Sequence, residues 1–326
     1  MRKILIWHHG ALGDLILSFA ALYALKRSAA GYYLHLVSRT DIADIILENE
    51  LADEISSNES GLFACLFYTA KDLPDALKAF LKGFDKAFIF MKRADSVFEE
   101  NIRGHIPESY FVRTVPHDGS IMSVSLFQLE QLGLAGMPTD SEMPVLEARR
   151  NSLLVCPGQT VIAIHPGSGG KKKCWPISNY FALINLLNSH MRYYFLIILG
   201  PAEGHEMYER TRGFISGGDV EAEIVKEATL ADIASLLKMS SLYIGNDSGI
   251  THLASILGVP TVALFGPTNH EIWGPAGRHV RVVRSGYPCS ACGEQMEKCA
   301  DIRCLGSLGV EKVLDAAEEL LRVGRL

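Results

Sequence analysis

Short apolar runs alternate with helical periods along most of this chain, and that alternation leaves few folds open. Residues 3–7, 34–37, 65–68 and 87–90 read as buried strands. Helical patterns lie at 15–25, 42–47 and 75–81, and another spans 120–132. After a stretch rich in proline and glycine at 133–160, the alternation restarts. Strands are predicted at 161–165, 194–199, 242–244 and 261–265. Helices are predicted at 178–188, after Thr229 and after Gly249, and an amphipathic helix at 310–323 closes the chain. Strands joined by helices pair in parallel, so each half is expected to form an open doubly wound α/β sheet. The proline- and glycine-rich stretch is the expected linker.

The 326 residues suffice for two domains, and 48% hydrophobic residues suffice for two cores. A net charge of −6 gives no footprint for general nucleic-acid binding. No apolar run reaches the 18 or so residues of a membrane span. His8, His9 and Asp14 interrupt the apolar N-terminus before it can act as a signal sequence, so a cytoplasmic protein is expected.

The chemistry-bearing residues sit in loops that follow strands. Gly10-Ala-Leu-Gly13-Asp14 is a glycine turn that sets a carboxylate at a helix start, where it also suits a helix cap. The G-x-G-x-x-G spacing of a dinucleotide fingerprint is absent, and no Gly-Lys-Ser/Thr of a P-loop follows. His165-Pro-Gly-Ser-Gly-Gly170 leads into three lysines, 171–173. Exposed backbone N–H groups and ammonium charge together suit a diphosphate. Gly245-Asn-Asp-Ser-Gly249 joins a strand to a helix whose free N–H groups and dipole also favour an anion. Asp247 and Ser248 are both candidates to cap that helix, and Gly249 permits close backbone approach.

Taken in order, Ala11-Leu-Gly-Asp14, His165-Pro-Gly-Ser-Gly with Lys173-Cys-Trp-Pro176, Gly245-Asn-Asp-Ser-Gly-Ile-Thr-His252 and Gly258-Val-Pro-Thr-Val-Ala-Leu-Phe-Gly-Pro-Thr268 resemble glycosyltransferase family 9, the ADP-heptose:lipopolysaccharide heptosyltransferases. The resemblance runs from the first strand to the last helix, and over 40–150 it holds only in outline. It implies a GT-B fold, with two Rossmann-like doubly wound domains facing a central cleft. Residues 1–150 would form the acceptor domain and 151–308 the nucleotide-sugar domain, with the helix in 309–326 packing back on the first domain. The implied reaction is inverting, metal-independent transfer of a heptose from an ADP-sugar to a lipid-linked lipopolysaccharide core acceptor. It would take place at the cytoplasmic face of the inner membrane, with peripheral membrane contact and no required cofactor.

Position by position, the resemblance makes Asp14 the general base and Lys173 the cation that neutralises the departing diphosphate. His165, Gly167, Ser168, Gly169, Asp247, Ser248, Gly249, Ile250 and His252 would hold the donor. Either Glu203 or Glu206 would hold its ribose, Glu203 being preferred. His9 and Gly13 would touch the acceptor. Lys92, Arg93, Arg103 and Arg113 are either solvated surface or contacts to an anionic acceptor. Cys289, Cys292, Cys299 and Cys304 have spacing open to a structural zinc, to two disulfides or to free thiols. Two other readings stay open, a GT-B-fold epimerase acting on a UDP-sugar and a non-catalytic nucleotide-sugar-binding relative.

Overall fold

A computed structural model of the chain describes residues 1–69, 73–117, 120–136, 145–148, 159–289 and 291–323. Most of the linker expected at 133–160 lies outside the described residues, as does Cys156. The chain divides into two compact units, Met1–Pro144 and Val145–Leu326.

Among the described residues the first unit is built on five strands: β1 (Arg2–His8), β2 (Tyr32–Ser38), β3 (Glu54–Ser57), β4 (Lys86–Met91) and β5 (Glu108–Arg113). They pair in parallel in the order β3-β2-β1-β4-β5. The chain winds outward from β1 to β3, then returns to the other side of β1 as β4, which makes the β1/β4 boundary the topological switch point. Leu5, Trp7 and Ile89 pack with Phe63, Leu77, Phe98 and Ile102 on one face of this sheet. Trp7 meets Phe98 at 5.1 Å and Phe63 edge-on at 5.3 Å. The strand expected at 65–68 is instead a short 3₁₀ turn, Cys65–Phe67, which drops Leu66 into that core. Four apolar residues in a row fit either form, and here burial is met by a turn.

Among the described residues the second unit has six strands: β6 (Val161–His165), β7 (Tyr194–Leu199), β8 (Glu221–Lys226), β9 (Leu242–Asn246), β10 (Thr261–Leu264) and β11 (Val280–Val283). Their order is β11-β10-β9-β6-β7-β8, again all parallel. Every residue of β6, β9 and β10 is buried, as the two-sided burial of inner parallel strands requires. Each fully buried Leu, Ile or Phe side chain contributes roughly 1.5–3 kcal/mol. The switch point here is the β6/β9 boundary, where His165 pairs with Gly245.

The last helix, Val310–Val323, buries Val313, Ala317, Leu320 and Leu321, one stripe at helical spacing, in the core of the second unit. It packs along the Ile177–His190 helix and over β9, β10 and β11. That apolar stripe is used within the second unit.

Candidate functional site

Ligands in open parallel sheets sit beyond the carboxyl ends of the strands at a switch point. In the second unit the loops leaving that point are 166–176, after β6, and Asp247–Ser248, after β9. Because β6 and β9 are neighbours in register, the two loops are brought together. Ser168 Oγ donates to the Asp247 carbonyl at 2.6 Å, and Lys173 Nζ donates to Asp247 Oδ2 at 2.8 Å. The glycines Gly169 and Gly170 leave backbone uncovered between them, and Gly169 is exposed. Lys171–Lys173 form one 3₁₀ turn that sets Lys173 beside Asp247.

The residue that ties the loops together is one that sequence reasoning passed over. Asn246 is fully buried at the end of β9. Its Nδ2 donates to the carbonyls of Pro166, at 2.7 Å, and Gly167, at 3.2 Å, while its Oδ1 accepts from the Trp175 N–H at 2.9 Å. Trp175 is held in turn by its indole N–H on the Leu308 carbonyl, at 2.9 Å. An amide side chain has donors and an acceptor on one planar head, so it can close a loop that carries both kinds of unpaired backbone group. The available signal was a buried strand ending in an amide rather than in another apolar residue.

Of the two capping candidates, Ser248 takes the role. It is extended, and its Oγ accepts from the Thr251 N–H at 3.3 Å to start the Gly249–Ile256 helix. Asp247 is thereby free to hold Lys173. Burial alone would push the Asp247 carboxyl up. The His252 ring at 3.9 Å and the Lys173 ammonium at 2.8 Å more than offset this and bring its pKa down to about 2. At 3.9 Å the His252 ring lies beside the Asp247 carboxylate but beyond ordinary hydrogen-bond length. His252 Nδ1 is buried without a hydrogen-bond partner among the described residues. Ile250 is buried in the first turn of the same helix. His165, also buried, donates Nδ1–H to the Ile198 carbonyl at 2.9 Å, and burial pushes its pKa down, so the ring is neutral.

Glu203 and Glu206 separate clearly. Glu203 Oε2 accepts from the Gly200 N–H at 2.5 Å, and its carboxylate lies so close over Gly167 that a Cβ there would overlap it. Glu206 is exposed on the Gly204–Gly217 helix. The structure thus brings Glu203, and not Glu206, to the β6 loop.

In the first unit, β1 ends at His8 and the Leu12–Leu17 helix begins four residues later. Asp14 Oδ2 reaches back to accept from the Ala11 N–H at 3.2 Å, half of a capping box, and its side chain remains partly exposed. A Cβ at Gly10 would lie 2.7 Å from His8 Cε1 and 2.9 Å from Asp14 Cβ, so this turn requires glycine there. Ser18 Oγ donates to the Asp14 carbonyl at 3.0 Å and therefore accepts from His8 Nε2 at 3.1 Å. Burial, with His9 adding to it, pushes the His8 pKa down to about 3. His9 is exposed, 3.4 Å from the Asn58 amide through Nδ1, and Gly13 lies in the first turn of the helix. Lys92 and Arg93 follow β4, across the switch point from β1, and are exposed. Arg103 and Arg113 are engaged within the fold, Arg103 with the Ser109 carbonyl and the Phe111 ring, Arg113 with His117.

Residues 122–302, more than half of the chain, match the model of glycosyltransferase family 9 (heptosyltransferase). The chain belongs to glycosyltransferase family 9. It is 25% identical to lipooligosaccharide heptosyltransferase 2 of Campylobacter jejuni, over 99% of this chain and 100% of that one. Among solved structures, it matches the family 9 glycosyltransferase of Veillonella parvula with a TM-score of 0.81 at 18% identity, covering 99% and 98% of the two chains. It matches ADP-heptose lps heptosyltransferase II of E. coli with a TM-score of 0.77 at 17% identity, covering 99% and 100%. The two parallel-sheet units are those of the GT-B fold, and the protein is a glycosyltransferase.

The cysteines of this family 9 chain do not assemble as four metal ligands. Cys289, Cys292, Cys299 and Cys304 are free thiols. Cys304 is buried with its sulfur against Gly266, whereas Cys289 is exposed. Cys299 Sγ lies 3.0 Å from the Asp301 carbonyl. Among the described residues no group of three or more His, Cys, Asp or Glu is placed to hold a metal ion. Also among the described residues, no helix is long and apolar enough to cross a membrane.

Proposed function

We propose that this glycosyltransferase transfers a heptose from ADP-heptose to a lipopolysaccharide core acceptor, by inverting displacement without a metal ion. The observation that carries the reading is the convergence of Lys173, Asp247 and the Gly249–Ile256 helix start at the switch point of the second sheet. A diphosphate bound there would meet an ammonium group and the free N–H groups of a helix start, which together can stabilise the charge that develops on the leaving ADP. Lys173 would pass from Asp247 to the phosphate oxygens, and the partnerless Nδ1 of His252 offers a further polar contact. Glu203, beside the β6 loop, would accept from the ribose hydroxyls.

In the displacement, Asp14 takes the proton of the acceptor hydroxyl. That oxygen attacks the anomeric carbon from the face opposite the diphosphate, and the bond from that carbon to the phosphate oxygen breaks. ADP leaves with the bonding electrons, so one displacement inverts the anomeric configuration. The exposed Lys92 and Arg93 beside the β1 turn suit anionic groups on the acceptor. With a lipid-linked acceptor and an ADP-sugar donor, the enzyme would work in peripheral contact with the cytoplasmic face of the membrane. Names borne by the relatives support the donor and acceptor classes, "ADP-heptose lps heptosyltransferase II" in particular.

The test is melting temperature against ADP, UDP, GDP and NAD in the presence of a chelator. A ligand at 100 times its dissociation constant stabilises by about 2.7 kcal/mol. Selective stabilisation by ADP, lost in Lys173→Ala, is the expected result. A preference for UDP would point to the epimerase reading, and no response to any nucleotide would refute donor binding.

A further inference from the structure

Next to the lysine turn lies a segment for which the reaction has no evident use, the cysteine-bearing strap that follows β11. Its backbone is tied to the turn after β10: the Ala291 N–H donates to the Gly266 carbonyl at 2.9 Å and the Gly293 N–H to the Pro267 carbonyl at 2.8 Å. It then forms the 3₁₀ helix Gly293–Lys298. Lys172 reaches the C-terminal end of that helix, donating to the Met296 carbonyl at 3.1 Å and the Glu297 carbonyl at 2.7 Å. A cation suits the carbonyl end of a helix; Lys172 shares the Met296 carbonyl with the Cys299 N–H, which lies 3.0 Å from it, and adds the Glu297 carbonyl. Lys172 and Lys173 are thus successive residues of one turn with different anchors, the strap and Asp247. In the sheet order β10-β9-β6, the strap is fixed beyond β10 and grips the loop beyond β6, on either side of the β9 loop.

We propose that Lys172 is a positioning residue for the donor diphosphate: by holding the strap carbonyls it fixes the lysine turn so that Lys173 is presented at the switch point. Lys172 itself does not touch the phosphates. This rests on the ADP-donor reading above. The three lysines then divide their work, with Lys172 turned to the protein, Lys173 to the anion and Lys171 exposed to solvent. Without the grip on the strap, the turn must be ordered when ADP binds, and that ordering entropy is subtracted from the affinity.

The test is calorimetric titration of the full chain with ADP, with the melting temperature of each variant recorded. Lys172→Met is expected to weaken ADP binding about tenfold, or about 1.4 kcal/mol. Lys172→Arg, which still donates to carbonyls, should recover most of the loss, and Lys171→Met should cost less than threefold. The strap is disturbed from its far side by Gly293→Val, since Gly293 has φ +59°, which a β-branched residue resists. That variant is expected to weaken ADP binding in the same way, and Lys172→Met added to it should bring no further loss. Four results would each overturn the proposal: Gly293→Val binding ADP like wild type, the two losses multiplying in the double variant, Lys171→Met matching Lys172→Met, or affinity falling in step with melting temperature. Wild-type protein that ignores ADP would defeat the donor reading itself, and this proposal with it.

Discussion

Gly167→Ala isolates the contact that decides between the two candidate ribose-binding glutamates. A methyl group at residue 167 would overlap the Glu203 carboxylate, the flexible end of a side chain, so the backbone need not move. Glu203 must swing away, and the Gly200 N–H loses a charged acceptor at 2.5 Å. Hydrogen bonds to charged groups contribute about 1.5–3 kcal/mol, and Glu203 is partly exposed, so about 1.5 kcal/mol is the appropriate figure. Against this, replacing glycine with alanine restricts the unfolded chain and stabilises by about 0.5 kcal/mol where the backbone conformation permits. The net expectation is a loss of about 1 kcal/mol in the wild-type background. In a Glu203→Ala background the steric conflict is gone, and Gly167→Ala should be neutral or slightly stabilising. The coupling between the two sites is then about 1.5 kcal/mol. Urea unfolding followed by tryptophan fluorescence measures it. A Trp7→Phe background leaves Trp175 and Trp273 to report on the second unit alone. Equal cost of Gly167→Ala with and without Glu203 would show that the carboxylate does not lie over residue 167, and the assignment of Glu203 to the site would fall with it.

Asn246→Ala should be among the most costly substitutions in the second unit, at about 3 kcal/mol. It leaves the Trp175 N–H and two loop carbonyls unpaired in a buried place, and it should weaken ADP binding although Asn246 holds only the loop; denaturant titration with calorimetry checks both. For His8 the sign follows from its depressed pKa. Above pH 6.5 the ring is neutral whether the chain is folded or not. Between pH 6.5 and about 3 the unfolded chain takes up a proton that the folded one refuses, so stability falls as pH drops, by up to about 1.4 kcal/mol per pH unit. His8→Gln should lessen that slope for the first unit between pH 6.5 and 5, read from Trp7 fluorescence, and an unchanged slope would show that His8 is not buried neutral.

The expected two-unit α/β organisation was legible, and the strands divide by their place in the sheets. All seven inner strands announce themselves as apolar runs, because both faces are covered by helices. The four passed over, β3, β5, β8 and β11, are the four edges. Their sequences, Glu-Ile-Ser-Ser, Glu-Ser-Tyr-Phe-Val-Arg, Glu-Ala-Glu-Ile-Val-Lys and Val-Arg-Val-Val, carry the charged and polar residues that keep an edge from pairing with another molecule. The loops of the site could be read from glycine and lysine placement, but their partnerships could not. Lys173 meets Asp247, and Asn246 meets Pro166 and Gly167, because β6 and β9 are neighbours in one register, a fact of topology that no local pattern carries. The cysteine spacing left zinc, disulfides and free thiols open, and spacing alone does not choose among them; here the four are free thiols.

The most direct measurement is acceptor-dependent release of ADP when the purified protein is mixed with ADP-heptose, a set of lipopolysaccharide core acceptors that differ in heptose content and excess chelator. Wild-type protein should release ADP only with the acceptor present. Asp14→Asn keeps an oxygen for the Ala11 N–H, so its helix start should survive, and it should bind ADP as wild type does. As a lost general base, it should turn over about 10²–10⁴-fold more slowly. No acceptor-dependent release, or an Asp14→Asn variant as fast as wild type, would contradict the proposed transfer.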